Sequence, residues 1–243
     1  MSGKEWIKFA RELKSVLEMD LEPVALNRLR DDCGDRQEKV RMCRAIIEAS
    51  QGKTLDLCKH NNACFGATWH LGFKKIKDPQ VKDMVRQFVV KGEKLFSSYE
   101  ALDKLIAQMG EVPDHSDKSF RLTPLESCES QPELVLFLCD ANQACRLLTL
   151  VTFEDGLMPD IKIGGPTCRM AVTLPLATGK LNISFYDYTA RKLCNLDNNL
   201  LLISVPYCSL DRMVENIEKC SAGKAKIEYP QGFREFLQKR KNK

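Results

Sequence analysis

The spacing of apolar positions in the first fifty residues predicts a helix, a strand and a second helix. Glu5–Glu18 carries apolar residues at helical spacing along one face. Pro23–Leu29 is short and apolar, as strands are, and the polar segment Asp31–Glu38 predicts a turn. Val40–Ser50 is amphipathic again and ends before Gly52. The residues expected to face the core in the first helix are Trp6, Phe9, Leu13, Val16 and Leu17.

Two capped helices are predicted after a short strand at Thr54–Cys58. Asp78-Pro79 is typical of a helix N-terminus, and Ser97 with Glu100 forms the pattern of a capping box. Together the two helices make a helical insertion at about 78–110. Their predicted inward residues are Val81, Met84, Val85 and Phe88, followed by Leu102, Leu105, Ile106 and Met109.

The second half of the chain is richer in strand patterns. The predicted strands are Phe120–Leu125, Leu134–Cys139, Leu181–Tyr186 and Leu200–Val205. The predicted helices are Asn142–Thr152, one starting in Pro166–Leu174, and Ser209–Cys220 with Ser209 as its cap. This alternation predicts an α/β or α+β fold, in which a mixed sheet is covered by helices.

Two segments of the chain resemble each other. A Cys-Arg pair begins a predicted helix at Cys43 and again at Cys168, and a Gly-Lys pair follows at Gly52 and at Gly179. An internal pseudo-repeat would span about 21–73 and 133–206. Chance similarity is the alternative. If the repeat is real, a pseudo-two-fold axis would bring Cys43 and Cys168 to equivalent places.

Composition and charge are those of an ordinary globular chain, which we expect to form a single domain over residues 1–243. The sequence is 44% hydrophobic and 29% charged, which argues against disordered and fibrous classes. Its apolar runs fall short of the roughly 18 residues that span a bilayer, and the N-terminus lacks a secretory pattern. We therefore expect a cytoplasmic protein without a membrane partner. The net charge of +4 is mild, and the basic tail Gln238–Lys243 does not favour nucleic-acid binding.

Eleven cysteines are an unusual number for a chain of this kind. Without a secretory signal, disulfides are not expected, which leaves buried thiols, reactive thiolates or metal ligands. Cys43, Cys58 and Cys64 are spaced unlike the ligands of a zinc ribbon or a bacterial ferredoxin. Any metal site must therefore be assembled by the fold from distant segments.

The segment Gly164-Gly165-Pro166-Thr167-Cys168 is the best local argument for a functional thiol. Two glycines and a proline predict a turn into a helix, so Cys168 would lie in the first helical turn. The unpaired N–H groups there favour a thiolate, so we expect a lowered pKa for Cys168. Gly164, Gly165 and Arg169 would then line a ligand site, with Arg169 contacting an anion. The alternative is a small buried residue after a tight turn.

The other candidates are weighed against structural roles. His60 and His70 could each ligate a metal, although a single histidine more often makes an ordinary hydrogen bond. Cys58, Cys139 and Cys145 lie on apolar faces, so we interpret them as packing residues. The chain contains no phosphate loop, dinucleotide fingerprint or nucleophile elbow. No reaction is therefore assigned, and whether the protein is an enzyme stays open.

Several motifs, taken in order, resemble the domain-of-unknown-function family 169 of bacterial and archaeal proteins, which has no established activity. The resemblance covers roughly Leu21 to Ile217 and implies that the family's three recurrent cysteines correspond to Cys43, Cys64 and Cys168. After Cys64 the family usually has Pro-Gly-Gly, whereas this chain has Phe65-Gly66-Ala67. The motifs are Glu22-Pro23-Val24-Ala25-Leu26, Arg41-Met42-Cys43-Arg44-Ala45, Ala63-Cys64-Phe65-Gly66-Ala67, Leu71-Gly72-Phe73, Gly164-Gly165-Pro166-Thr167-Cys168, Thr178-Gly179-Lys180 and Ile203-Ser204-Val205-Pro206.

Three functions remain open at this point. Cys43, Cys64 and Cys168 could bind an iron–sulfur cluster or another thiolate-bound metal for redox or anaerobic metabolism. The alternative is a metal-free small-molecule-binding or assembly module, whose cysteines line a buried pocket. The third is thiol catalysis by Cys168. The partner would be a redox protein, a small molecule or a second copy of the chain.

Overall fold

Six strands form one sheet in the computed structural model, which describes residues 3–30 and 38–241. Cys33 and most of the predicted turn at Asp31–Glu38 lie outside the described residues. The strands are β1 (Val24–Leu29), β2 (Leu55–Leu57), β3 (Ser119–Pro124), β4 (Leu134–Cys139), β5 (Asn182–Ser184) and β6 (Leu201–Pro206). Their order is β2-β3-β1-β4-β6-β5, and all five strand pairs are antiparallel.

Helices cover both faces of this sheet, which confirms the predicted fold class of mixed helices and strands. The predicted mixed sheet is wrong in one respect, because every strand pair among the described residues is antiparallel. None of the helices in the described ranges is both long and apolar enough to cross a bilayer. The helices are α1 (Gly3–Leu17), α2 (Met42–Ser50), α3 (Phe65–His70), α4 (Pro79–Gln87), α5 (Tyr99–Met109), α6 (Ala141–Thr152), α7 (Leu174–Thr178), α8 (Tyr188–Cys194), α9 (Tyr207–Asn216) and α10 (Gln231–Lys241). Two π-helical turns, Phe88–Gly92 and Cys168–Thr173, and a 3-10 turn, Leu125–Ser127, complete the set.

The sheet separates two hydrophobic cores because successive strand residues point to opposite faces. In β1, Val24 and Leu26 join one core and Ala25 joins the other. The core on the Ala25 side contains α1, α6 and α9. The opposite core contains α2, α3, the second π-helical turn and α8, and it also holds the buried thiols discussed below. We call that side of the sheet the thiol face.

The predicted elements agree with the structure where the hydrophobic period is strong. All five predicted inward residues of α1 are buried, and β4 has the predicted bounds. The predicted starts of two helices, α5 and α9, were wrong. The cap of α5 is Ser98, whose hydroxyl accepts from the amide of Ala101, because Ser97 lies one residue too early. Helix α9 begins at Tyr207, directly after the strand residue Pro206 and without a serine cap.

The predicted burial of the α4 face is wrong. The Asp78 cap is present and accepts from the amide of Gln80. Met84 and Phe88, however, are 58% and 59% exposed, since α4 packs chiefly on its own π-helical extension and on α5. The amphipathic pattern therefore predicted the helix correctly and its environment wrongly.

The strand order has the symmetry that the suggested duplication would produce. Strands β1 and β4 pair antiparallel at the centre, β3 and β6 follow outward, and β2 and β5 lie at the edges. Helix α2 connects β1 to β2, while the π-helical turn and α7 precede β5. The helices that carry Cys43 and Cys168 pack on the same face. The duplication itself stays a prediction.

Candidate functional site

The structure brings the three predicted cysteines to the thiol face. Cys43 lies in the first turn of α2, Cys64 directly precedes α3, and Cys168 begins the second π-helical turn. Negative charges on Cys168 and Cys64 each raise the pKa of Cys43, and a charge on Cys64 raises the pKa of Cys168. The three sulfurs are therefore within electrostatic reach of one another, although their segments are far apart in sequence.

A fourth thiol, Cys194, belongs to the same group and was missed from the sequence. It is the last residue of α8, a seven-residue helix that we did not predict. The available signals were Asp187, which caps the helix through the amide of Ala190, and Asn195, which ends it in the left-handed conformation. Both residue types are common in loops, so neither signal was decisive.

Cys43 and Cys194 form a hydrogen-bonded thiol pair. The Cys43 thiol donates to the Cys194 sulfur, which raises the pKa of Cys43 and lowers the pKa of Cys194 to about 7. Burial raises the pKa of Cys43 further, whereas nearby Arg44 and Arg41 favour a negative charge on Cys194. The lowered pKa allows Cys194 to ionise near neutral pH.

The expectation of an acidic Cys168 is wrong. Cys168 does lie in the first turn after the glycine-rich segment, as predicted. Burial nevertheless raises its pKa well above the usual range, and the negative charges of Cys64 and Asp187 raise it further. Desolvation disfavours the thiolate more strongly here than the backbone stabilises it. The structure thus removes the main argument for Cys168 as an activated nucleophile.

Asp187 fixes the second half of the site. Its carboxylate accepts from the amide and the hydroxyl of Thr167, at 3.1 and 2.9 Å, and it also caps α8. In return its own amide donates to the Thr167 hydroxyl at 2.9 Å. The neighbouring Tyr186 is buried and donates from its hydroxyl to the carbonyl of Cys43 at 3.3 Å. These bonds hold the segments of Cys43, Cys168 and Cys194 together.

The two candidate histidines have different environments. His60 is exposed. His70, at the end of α3, has its pKa lowered to about 4 by burial, while the charges of Asp187 and Arg169 act in opposite directions. Its backbone carbonyl accepts from the hydroxyl of Thr173 at 2.9 Å, which ties α3 to the π-helical turn. At neutral pH His70 is uncharged, which is the form in which imidazole can ligate a metal.

Arg169 is buried and holds the end of α5 in place. Its guanidinium donates to the carbonyls of Met109 and Glu111 and to the hydroxyl of Thr173, over 2.6–3.2 Å. Burial lowers its pKa. Gly164 and Gly165 both have positive φ, +103° and +78°, a conformation that glycine adopts without strain. A ligand contact by Arg169 would have to compete with these hydrogen bonds, and the three ligand-binding positions stay a prediction.

The π-helical turn beside Cys168 has an identifiable cause. Pro175 has no amide N–H to donate to the carbonyl of Ala171, as a continuous α-helix would require. The hydroxyl of Ser204 donates to that carbonyl instead, at 2.6 Å. The side-chain amide of Asn182 donates to the carbonyl of Met170 at 2.9 Å. Strand residues thus compensate for a local departure from α-helical bonding, and such departures often occur at functional sites.

A pocket of about 340 Å³ opens beside the thiol pair. Cys194 is the one cysteine in its wall, and Arg44, whose Nε donates to Glu48, provides a positive charge. The remaining lining residues are five apolar ones, Leu21, Ile47, Leu138, Leu196 and Leu200, and three polar ones, Gln51, Asn195 and Asp197. The volume is in the lower range of small-molecule sites.

The remaining predicted cysteines divide into three environments. Cys139 is buried in the opposite core, as predicted. Cys145 is exposed, so its predicted packing role is wrong. Cys58 is fully buried but disulfide-bonded, which overturns the expectation that disulfides are absent. That bond removes Cys58 from the set of free thiols.

The fold and the site define a class: an α/β protein with an antiparallel sheet and a group of four thiols on one face, three of them buried and Cys64 partly buried. The chain belongs to the domain-of-unknown-function family 169 (DUF169), described as "Uncharacterised ArCR", whose model matches residues 12–216. No curated protein and no solved structure matches the chain.

Proposed function

We propose that this protein is a cytoplasmic redox protein that binds an iron–sulfur cluster or another thiolate-bound metal through Cys43, Cys64 and Cys168, with Cys194 as fourth ligand. The observation that carries the proposal is the convergence of four thiols from four different elements on one buried face. Thiolates are the preferred ligands of iron–sulfur clusters and of zinc. When bound, a cluster would supply one-electron transfer.

The chemistry of the donor set fits such a group, because all four side chains are thiols. Among residues 3–30 and 38–241, no three histidine, cysteine or acidic side chains stand close enough to hold an ion as they are. Cys43 and Cys194 already touch through a hydrogen bond. Cys43, Cys64, Cys168 and Cys194 would hold the metal as thiolates, so its affinity would depend on pH.

The test is anaerobic purification followed by metal analysis and an absorption spectrum. We expect metal in the wild-type protein, and a loss of most of it in each of four variants, because each variant removes one thiolate ligand of the proposed site. The variants are Cys43→Ser, Cys64→Ser, Cys168→Ser and Cys194→Ser. Cys139→Ala is the matched control, since this buried thiol lies in the opposite core and should leave the metal content unchanged.

A colourless, metal-free anaerobic preparation would refute the proposal. So would metal that survives all four substitutions. The pocket beside Cys194 favours the metal-free small-molecule-binding module as the second candidate, because its apolar side chains together with its polar ones, among them Arg44 and Asp197, suit a small polar molecule. Native mass spectrometry of the purified protein separates the two: an organic adduct without metal, retained when Cys64 and Cys168 are replaced, supports the second candidate.

A further inference from the structure

The C-terminal helix α10 stands apart from the helices that build the two cores. Every residue from Lys226 to Arg240 is exposed, and neither hydrophobic core includes any of these residues. An eleven-residue helix is marginally stable in water without tertiary packing. The internal packing of the protein therefore does not explain the aromatic and basic side chains of this helix.

An aromatic row runs along one face of α10. Phe233, Phe236 and Leu237 share that face at helical spacing, and Tyr229 continues the row before the helix begins. The rings of Tyr229 and Phe233 stack with centroids 5.8 Å apart, and those of Phe233 and Phe236 with centroids 6.1 Å apart. Phe233 and Phe236 remain 46% and 50% exposed. We call these four residues the aromatic row.

Positive charges flank the aromatic row on both sides. By helical periodicity Arg234 lies about 100° to one side of Phe233, and Lys239 lies about 120° to the other. The guanidinium of Arg240 lies over the ring of Phe236, 5.6 Å from its centroid. The one carboxylate among residues 231–240, Glu235, falls on the opposite side of the helix. In the described chain no ion pair neutralises Arg234, Lys239 or Arg240.

We propose that α10 docks the protein on an anionic lipid surface, with the aromatic row inserted between headgroups and the flanking cations contacting them. Aromatic and aliphatic side chains on one face with lysine and arginine at its margins are the pattern of a helix lying in the membrane interface. A second copy of the chain fits less well, because pairing two aromatic rows would place cations of both copies together. The inference revises the expectation of no membrane partner and does not depend on the proposed metal.

The test is co-sedimentation of the full chain with two sets of vesicles, one of phosphatidylcholine alone and one of an equimolar mixture with phosphatidylserine. We expect binding to the anionic vesicles only, weakening with added salt. Phe233→Ala combined with Phe236→Ala should lower the affinity at least about tenfold. Arg234→Gln and Lys239→Gln should each lower it roughly fivefold.

Matched controls separate this site from general surface stickiness. Phe153→Ala removes an aromatic ring of similar exposure at the end of α6. Lys82→Gln and Lys219→Gln remove exposed cations elsewhere. All three should bind like the wild-type protein. Thermal midpoints should be unchanged in the α10 variants, since the helix contributes to neither core.

Four outcomes overturn the inference. These are no binding to either set of vesicles, equal binding to both, or binding that the α10 variants do not affect. The fourth is that the protein does not bind vesicles but binds single-stranded RNA, or self-associates, in a way that depends on the aromatic row. Metal content measured in the same samples keeps this result separate from the proposed function.

Discussion

At the scale of single residues, the hydrogen bond between Cys43 and Cys194 makes a testable prediction for the metal-free protein. Removing the donor with Cys43→Ala should raise the pKa of Cys194 above about 7, because the thiolate loses its closest hydrogen bond. The measurement is the pH dependence of Cys194 alkylation, followed by peptide mass spectrometry.

Cys43→Ser is the matched control for that experiment. Serine keeps a hydroxyl donor at the same position, so the alkylation midpoint of Cys194 should move less than in the alanine variant. Identical midpoints in the wild-type protein and Cys43→Ala would mean that the thiol pair does not set the acidity of Cys194. The arginines at positions 41 and 44 would then be the remaining cause.

Single residues also show where sequence reasoning stops. The Gly-Gly-Pro pattern located Cys168 at a helix start, and the family resemblance selected Cys43 and Cys64 among eleven cysteines. Neither source could give the pKa of Cys168, because burial, which raises it, depends on packing between distant segments. Cys194 was missed for the same reason: its significance lies in its contact with Cys43.

At the scale of elements, the π-helical turn Cys168–Thr173 makes a second prediction. Ser204→Ala removes the only hydroxyl that donates to the carbonyl of Ala171 in the described chain, at a fully buried position. The expected loss is about 1–3 kcal/mol in the free energy of unfolding, the cost of an unsatisfied buried carbonyl. Urea unfolding measures it. Thr149→Ala is the control, because its hydroxyl-to-carbonyl bond is exposed and its loss should cost about 0.5 kcal/mol or less.

A double-mutant cycle with Pro175→Ala tests the explanation behind this prediction. Alanine at position 175 restores an amide donor to the helix, so Ser204→Ala should cost less in that background. Equal costs in both backgrounds would show that the missing amide of Pro175 is not the reason Ser204 is needed.

The same scale shows which elements a sequence pattern can predict. Helix α1 was predicted well because it carries a hydrophobic period over its length, and strand β4 because it is a short, continuous apolar run. Helices α3 and α8 have six and seven residues, too short for a period to emerge. Helix α10 was not predicted: only the basic tail Gln238–Lys243 was noted, and the spacing of Phe233, Phe236 and Leu237 before it was overlooked.

At the scale of the whole molecule, two histidines predict how stability changes with pH. Burial lowers the pKa of His70 to about 4 and lowers the pKa of His115, whose Nδ1 lies 2.8 Å from the carbonyl of Leu71. The unfolded chain binds these protons near pH 6.5, so it takes up more protons than the folded chain below that value. The contribution of these histidines to the free energy of unfolding should therefore be complete above about pH 6.5 and should decrease as the pH drops toward about 4.

Urea unfolding at about pH 7.5 and about pH 5 measures this effect, which is at most about 1.4 kcal/mol per pH unit for each histidine. Carboxylates titrate mostly below that range. His115→Asn retains a polar group near the carbonyl of Leu71 and should flatten the slope. A slope that is the same in the wild-type protein and in this variant would contradict the assignment.

The four thiols of the thiol face come from two distant parts of the chain, and this has a consequence for biosynthesis. Cys43 and Cys64 lie in the first half of the chain, whereas Cys168 and Cys194 lie in the second. At ordinary translation speeds Cys194 leaves the ribosome on the order of ten to thirty seconds after Cys43. During that interval the emerging chain offers only half of the thiol group. The four thiols are therefore together only once Cys194 has emerged, so the proposed centre would be completed late in synthesis or after it.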